Sequence, residues 1–268
     1  MTEADDQGPK GNLRTAEHAS RSLERRAPFV VSYLKSGMHL LDSGCGPGAI
    51  TIDLAAAVAP GKVIGVDLDP ERIEVARAAA ARQGCNNVDF RVADIYKLPF
   101  PDAAFDAVFQ SSVFIHLPDP HAAAGELFRV LKPSGLLAAS EPDHDLLVSG
   151  GATREVIDIV DLWHEWQRQR GSNHFFGKHL FSTVRQAGFE RRLLSLTTQC
   201  MTGDELMAAG QSLARWLDEP EWLAFCKQRG GVDAATFERW RTAFLDWASS
   251  PDSFRLDGRY EVICWKPD

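Results

Sequence analysis

A glycine-rich turn between an apolar run and a helix-compatible segment is the feature that most restricts the fold of this chain. Residues 40–51 read LLDSGCGPGAIT, with three glycines in alternate positions. Because glycine has no Cβ, such a turn can adopt left-handed dihedrals and bring its backbone against a ligand, and Pro47 suits a first helical turn. Asp67 follows the next apolar run, residues 63–66. Glycines at one strand tip and a carboxylate at the next hold an adenosine ribose in open α/β sheets, so we predict a nucleoside-cofactor site.

The local motif leaves the identity of the nucleoside open. Residues 44–49, GCGPGA, also satisfy the dinucleotide fingerprint, whose last position admits alanine. A nicotinamide oxidoreductase is therefore an alternative at this point. That fingerprint requires no second acidic residue well beyond the glycines, whereas Asp94 occupies such a position. Asp94 thus favours another adenosine cofactor.

Composition excludes several classes of function. The 268 residues suffice for one large domain with an elaborated lid. The 37 acidic residues outnumber the 29 basic ones, which argues against a nucleic-acid partner. The five cysteines show neither C-x-x-C nor metal-like spacing, so we expect reduced thiols and a cytoplasmic location. We expect neither a secretory signal nor a membrane span, because no apolar run approaches the ~20 residues of a span.

Strands and helices alternate in the first half of the chain. Asp69-Pro70 and Asp119-Pro120 each have the form of an N-cap followed by a proline at the first helical position. This alternation predicts βαβ units and a parallel sheet. The predicted strands are 38–42, 62–66, 88–92, 105–109 and 136–140, and the predicted helices are 47–58, 70–83 and one that begins at Pro120.

Beyond Pro142 the pattern changes to helical insertions rich in tryptophan. All seven tryptophans lie in this part of the chain. Their helical spacing favours core packing, with an aromatic-lined pocket for an apolar or ring-bearing substrate as the alternative. Thr202 and Glu205 form a capping-box signature. The predicted helices are 153–170, 178–187, one from Thr202 and 233–248, and the predicted strands are 189–198 and 260–265.

Five motifs occur in an order that resembles the class I S-adenosylmethionine (SAM) methyltransferases, and most of all the ubiquinone/menaquinone-biosynthesis type. They are DSGCGPG from Asp42, VDL around Asp67, ADI around Asp94, LPFPDAAFD from Leu98 and VLKPSG from Val130. The resemblance covers about residues 38–142. It implies a doubly wound, Rossmann-like α/β fold with seven mostly parallel strands and helical lid insertions. SAM would be the cofactor and S-adenosylhomocysteine its product.

The resemblance also divides the chain within a single domain. The expected parts are an N-terminal helical cap (1–37), the SAM-binding core (38–142), lid or substrate insertions (143–187 and 203–252) and closing strands (189–200 and 258–266).

The resemblance further implies roles for individual residues. The loop from Gly44 to Gly46 would approach the methionine part of SAM, and Asp67 would bind both ribose hydroxyls. Leu68 would pack on the adenine face, while Asp94 would accept the adenine amino group beside the Ile95 backbone. Carboxylates suit these donors because charge-assisted hydrogen bonds are strong. The predicted cofactor site comprises Asp42, Gly44, Cys45, Gly46, Asp67, Leu68, Asp94, Ile95, Gln110 and Ser111.

Candidate general bases follow the fourth and fifth strands, because open α/β sheets bind ligands at the carboxyl ends of their strands. His144 is the first choice for the base, and His116 the second. A structural role is the alternative for each. We predict no metal site, since His144, His164 and His174 lack the helical spacing of paired ligands. Asp106 precedes a strand and is assigned a structural role.

The predicted function is methyl transfer from SAM to oxygen or carbon of a small molecule, such as an aromatic, apolar or quinone-like acceptor. Residues 110–113, Gln-Ser-Ser-Val, do not form the aromatic-proline tetrad that amino-group methylators of DNA and protein carry. The alternative is a SAM-binding protein that transfers no methyl group, either a cyclase or a ligand-binding protein. Monomer and homodimer both remain open.

Overall fold

A mostly parallel sheet organises the computed structural model, which describes residues 22–268. Within these residues the strands are β1 (Leu40–Ser43), β2 (Val63–Asp67), β3 (Val88–Val92), β4 (Phe105–Ser111), β5 (Leu131–Pro142), β6 (Val148–Gly150), β7 (Glu190–Met201) and β8 (Phe254–Trp265). Their order is β3-β2-β1-β4-β5-β8-β6, and β7 also pairs with β8. Strands β1 to β5 pair in parallel, whereas β8 is antiparallel to β5, β6 and β7. The predicted α/β fold is confirmed.

The sheet differs from the prediction at its antiparallel end. Strand β8 begins at Phe254, earlier than the expected start at residue 260. Its additional residues pair with the short strand β6, with Val148 opposite Leu256. This small strand accounts for an eighth strand beside the seven expected, and it was missed because three residues carry too little periodicity to be recognised.

Local capping chemistry explains where several helices begin. Asp69 Oδ1 accepts hydrogen bonds from the backbone N–H groups of Glu71 and Arg72, and Asp119 Oδ1 accepts one from Ala122. The capping box expected at Thr202 does not form, because its side chain makes no capping hydrogen bond. The helices are Leu23–Arg26, Pro28–Val31, Ala49–Val58, Pro70–Arg82, Pro120–Val130, Arg154–Gln169, Leu180–Gln186, Gly203–Trp216, Pro220–Arg229 and Ala234–Ser249.

Both faces of the sheet are buried. Adjacent residues of β1 illustrate this, since Leu40 packs into one apolar cluster and Leu41 into the cluster on the opposite face. Such two-sided burial is typical of parallel strands covered by helices. The carboxyl ends of β1, β2, β4 and β5 consequently share one edge of the sheet, and the candidate site lies there.

The helices of the expected insertions have an apolar core of their own, which contains most of the tryptophans. Trp166, Trp222, Trp240 and Trp247 are buried in it. Core packing is therefore the right interpretation for these four residues. No helix in residues 22–268 has the length and apolar character needed to cross a membrane. The part of the expected N-terminal cap that falls in residues 1–21 lies outside the described residues.

Candidate active site

The chain leaves β1 through a loop in which three glycines adopt left-handed backbone conformations. Gly44, Gly46 and Gly48 have φ angles of 77°, 54° and 81°. A Cβ on Gly44 would collide with the Val113 side chain, whereas a Cβ on Gly46 would meet no heavy atom of residues 22–268 within 4 Å. The Gly46 backbone therefore has open space beside it, which a ligand can enter without displacing protein atoms.

Asp67 at the end of β2 reaches across to this loop. Its Oδ2 accepts a hydrogen bond from the Gly46 N–H at 2.9 Å, and its Oδ1 accepts one from the Asp69 N–H at 3.0 Å. The parallel pairing of β1 with β2 brings the two strand tips together. Leu68, directly after Asp67, is 70% exposed and lines a cavity together with Asp67 and the glycine loop.

Asp42 lies beneath the loop and is only 3% exposed. Its Oδ2 accepts a 2.6 Å hydrogen bond from Thr51 Oγ1. Burial raises the pKa of Asp42 to about 7, while the Thr51 hydrogen bond acts in the opposite direction. Burial also raises the pKa of the neighbouring Cys45 thiol, which therefore stays protonated at neutral pH and is a poor nucleophile.

One large cavity connects the predicted cofactor residues with the lid. Its volume is about 820 Å³, within the usual range of small-molecule sites. Asp94 is exposed on its wall, where Oδ1 accepts a hydrogen bond from the Tyr96 N–H at 2.9 Å. Nine of the ten predicted cofactor residues line this cavity: Asp42, Gly44, Cys45, Gly46, Asp67, Leu68, Asp94, Ile95 and Ser111.

Gln110 is the exception and requires a correction. Its side chain is fully buried, is not part of the cavity wall and donates a short hydrogen bond from Nε2 to Glu141 Oε1. The same Glu141 oxygen accepts the N–H groups of Val113 and Phe114 at 2.9 Å each. Gln110 and Glu141 thus fix the segment after β4, so the structure gives no support to a direct cofactor contact by Gln110.

His144 lies on the cavity wall at the start of a short helical turn after β5. Its backbone N–H donates to the His174 carbonyl, and its Nδ1 lies 2.6 Å from His164 Nε2. Burial, reinforced by His174 and then by His164, Arg255 and Arg259, lowers the pKa of His144 to about 2. Burial likewise lowers the pKa of His164 to about 4. Both rings are therefore neutral at physiological pH.

The second base candidate, His116, is exposed on the cavity wall with its Nδ1 3.2 Å from Ser172 Oγ.

Within residues 22–268, no group of three His, Cys, Asp or Glu side chains is arranged to hold a metal ion. Asp106 accepts hydrogen bonds from Lys132 Nζ at 2.6 Å and from the His39 N–H at 2.8 Å. These contacts tie β4 to its neighbours and agree with a structural role.

Two tryptophans differ from the rest by contributing to the cavity wall. Trp163 stacks on His144 with centroids 5.7 Å apart, and Trp216 meets Trp163 edge to face at 6.0 Å. The aromatic-pocket interpretation thus applies to these two residues. Arg259, which the sequence did not single out, also lines the cavity. Its only sequence signal was its position at the start of the predicted closing strand, 258–266.

Comparisons with known proteins agree on one family. A family model described as a methyltransferase domain matches residues 34–199. The protein ltbC of Aspergillus luteorubrus, a probable methyltransferase, is 34% identical over 279 residues, which cover 92% of this chain and 92% of that protein. An uncharacterised methyltransferase of Schizosaccharomyces pombe is 39% identical over 153 residues. This match covers 50% of this chain and 55%, about half, of that relative. The cyclase SpnF shares the fold, with a TM-score of 0.57 at 23% identity over 95% of this chain and 80% of that one.

Proposed function

This chain belongs to the methyltransferase-domain family of class I SAM-dependent methyltransferases, and on that premise we propose that it methylates an oxygen or carbon atom of a small-molecule acceptor, using SAM. The observation that carries the proposal is the single cavity of about 820 Å³ shared by the glycine loop and the lid. Such a cavity has room for a nucleoside and an acceptor side by side.

The residues at the sheet edge fit a neutral adenosine with a cationic tail. Asp67 and Asp94 offer carboxylate oxygens to hydroxyl and amino donors, and the open space beside Gly46 fits the remainder of the molecule. SAM, when bound, supplies a methyl group on a sulfonium, which is a good leaving group. Asp67 would hold the ribose and Asp94 the adenine. Leu68 and Ile95 would cover the base.

The lid residues would align the acceptor and exclude water. Orientation of this kind can lower a barrier by roughly 7–11 kcal/mol, whereas a general base adds on the order of 10²–10⁴-fold in rate. When the hydrogen between the two rings is on Nδ1 of His144, its Nε2 is unprotonated and would be the atom that takes a proton from the acceptor. Because its pKa of about 2 makes His144 a weak base, alignment would supply the larger share of the acceleration.

The aromatic wall favours a ring-bearing acceptor. Trp163 and Trp216 both line the cavity, and Trp163 stacks on His144. Offset and edge-to-face contacts between rings add about 0.5–1.5 kcal/mol each to the burial of apolar area. An aromatic or quinone-like acceptor would gain these contacts, and a small aliphatic one would not.

A labelling experiment tests the proposal. The protein is incubated with SAM carrying a labelled methyl group and with a metabolite extract, and the label is followed into small molecules. We expect transfer to a ring-bearing compound. Binding of S-adenosylhomocysteine without any transfer would favour the non-transferring alternative, a cyclase or a ligand-binding protein. A thermal shift with NAD rather than with S-adenosylhomocysteine would contradict the cofactor assignment, because only a bound ligand stabilises the fold.

The role of His144 has its own test. His144→Gln should slow methyl transfer to a hydroxyl acceptor by at most about 10²-fold, because a weak base lies at the lower end of general-base catalysis, while S-adenosylhomocysteine affinity should stay unchanged. His121→Gln is the matched control, because His121 is an exposed helix residue away from the cavity. Equal transfer rates in both variants would remove His144 from the mechanism, and His116→Gln would then be examined in the same assay.

A further inference from the structure

We propose that Arg259, together with the hydroxyl groups of Ser111 and Ser112, binds an anionic oxygen of the acceptor, so that the enzyme selects acidic phenols or enols in their ionised form. This inference rests on the proposed function and extends it to the chemical class of the acceptor. It assigns Ser111, predicted from the sequence as a cofactor residue, to the acceptor instead.

The guanidinium of Arg259 is held in place by hydrogen bonds from one side. Nε donates to Ser140 Oγ at 3.0 Å, and Nη2 donates to the Ser140 carbonyl at 3.0 Å. The same Nη2 lies 3.1 Å from Ser111 Oγ and 2.8 Å from Ser112 Oγ. Arg259, Ser111 and Ser112 all line the cavity. The planar group is thus fixed before any ligand arrives.

The arrangement leaves donors that have no protein partner among residues 22–268. Each serine oxygen accepts from Arg259, and a hydroxyl has one hydrogen of its own to donate. Neither the Ser111 nor the Ser112 hydroxyl donates to another residue among residues 22–268, and Arg259 Nη1 makes no hydrogen bond there either. These free donors, arranged around one fixed positive charge, are complementary to an oxyanion.

The backbone around the serines is constrained in a way that supports this arrangement. Ser112 has a φ of 58°, a left-handed conformation that is uncommon for serine, and its N–H donates to the Ser140 carbonyl at 2.9 Å. The contacts of Glu141 with Val113 and Phe114 hold the following residues. Unfavourable backbone conformations persist where the surroundings enforce them, and they concentrate at functional sites.

The charge of Arg259 is not neutralised by an ion pair. Arg255, the neighbouring cation on the wall, pairs with Asp257 at 3.0 Å, whereas Arg259 has no carboxylate within ion-pair distance in the described part of the chain. The acidic groups that raise the pKa of Arg259 are Glu141, Glu261 and Asp257, while Arg26 lowers it, and burial raises the pKa values of both glutamates. Burial lowers the pKa of Arg259 itself, as expected for a cation withdrawn from water without a full counter-charge.

The same positive field reaches His144. Arg255 and Arg259 both help to lower its pKa, and all three residues line the cavity. A neutral and weak base cannot readily deprotonate an ordinary hydroxyl group. An acceptor that is already ionised when it binds needs no strong base. The Trp163 ring, which lies beside His144, would pack against the aromatic ring that carries such an oxygen.

The proposal can be tested with 4-nitrophenol, whose phenol and phenolate forms absorb at different wavelengths. The pH titration of the bound probe is recorded with the full chain. We expect the probe's pKa to fall by at least about one unit on binding, a tenfold gain in the phenolate. Arg259→Gln should abolish most of this shift. Arg72→Gln is the control, because it removes an equal charge from the cavity wall without touching the serines.

A second variant covers the case in which Arg259→Gln does not fold. The double variant Ser111→Ala, Ser112→Ala retains the charge and should reduce the shift by about half. The proposal would be overturned if the probe does not bind or if its pKa does not fall on binding. It would also be overturned if the pKa falls equally in wild type and in whichever of these variants folds. Calorimetry with S-adenosylhomocysteine is run on the same samples. Its failure would refute the cofactor assignment, whereas normal heat without an Arg259-dependent shift would refute only the anion site.

Discussion

Nδ1 of His144 lies 2.6 Å from Nε2 of His164, although 20 positions separate the two residues in the sequence. At this distance one nitrogen must donate and the other accept, so a single N–H lies between the rings. Protonating both rings would place two donors face to face. Burial also disfavours the protonated rings, because it lowers the pKa of His144 to about 2 and that of His164 to about 4.

The histidine pair should make stability depend on pH. Below the ordinary histidine pKa of about 6.5, the unfolded chain binds protons that the folded pair does not bind. The free energy of unfolding therefore decreases as the pH falls from about 6.5 towards 4. Each proton taken up only on unfolding contributes a slope of up to about 1.4 kcal/mol per pH unit. Urea unfolding at pH 7.5, 6 and 5 measures this slope.

His164→Gln tests the origin of that slope. Glutamine keeps a donor and an acceptor but does not titrate, so the decline in stability between pH 7.5 and 5 should become shallower. His121→Gln, a change at an exposed position, should leave the slope as in wild type. Parallel curves for wild type and His164→Gln would show that the pair does not govern the acid sensitivity.

Asp67→Ala should reduce the affinity for S-adenosylhomocysteine by at least about tenfold. Hydrogen bonds to a charged group contribute about 1.5–3 kcal/mol, and the variant would remove those expected to the ribose. The loop also loses the bond from the Gly46 N–H. Calorimetry provides the measurement. Asp89→Ala is the control, since Asp89 in β3 is exposed and pairs only with Arg91 at 2.7 Å. Equal affinities of the two variants would contradict the role of Asp67.

Alanine at two glycines of the same loop should have different consequences. Gly44→Ala and Gly46→Ala both place a Cβ on a left-handed residue, at a cost of roughly 1–2 kcal/mol. Gly44→Ala also forces the Val113 side chain to move, and overpacking adds about 1–3 kcal/mol. Gly46→Ala meets no protein atom and should instead weaken cofactor binding.

Unfolding in urea and calorimetry separate these effects. Gly84→Ala controls for the cost of placing a Cβ on a left-handed residue. Gly84, at the end of the helix Pro70–Arg82, has a φ of 65° and open space around it. Gly46→Ala should match Gly84→Ala in stability, and Gly44→Ala should be less stable than either. A Gly46→Ala protein with undiminished affinity would remove this loop from the cofactor site.

Thr51→Val should destabilise the fold by about 1–3 kcal/mol. The substitution removes the only side-chain donor to the buried Asp42 carboxylate among residues 22–268 and leaves a polar group unsatisfied. The pKa of Asp42 should rise above about 7, because Thr51 is the contact that lowers it. Thr242→Val, at an exposed helix position, should change stability by less than about 0.5 kcal/mol. Urea unfolding of both variants at one pH measures the difference.

Features that depend on a few neighbouring residues were predicted well. The aspartate-proline pairs at residues 69–70 and 119–120 begin helices as expected, because cap and proline act within one turn. Strand β3 has the predicted bounds, Val88–Val92. The glycine loop and Asp67 meet at the tips of β1 and β2, because parallel neighbouring strands end at one edge. The contact between Gln110 and Glu141 was missed, since burial of a polar side chain leaves no mark in its own sequence neighbourhood.

The sequence by itself determined the alternating strands and helices, the left-handed turn and the order of the acidic residues, because dihedral preferences and hydrophobic periodicity are local. The tertiary structure alone decided which distant groups share the cavity. Arg259 reaches Ser111 and Ser140 only because β8 pairs antiparallel to β5 in one particular register, with Pro142 opposite Arg259. The pairing of His144 with His164 likewise depends on how the lid helix Arg154–Gln169 packs. Long-range packing sets such contacts through the sum of many weak interactions, which no short segment encodes.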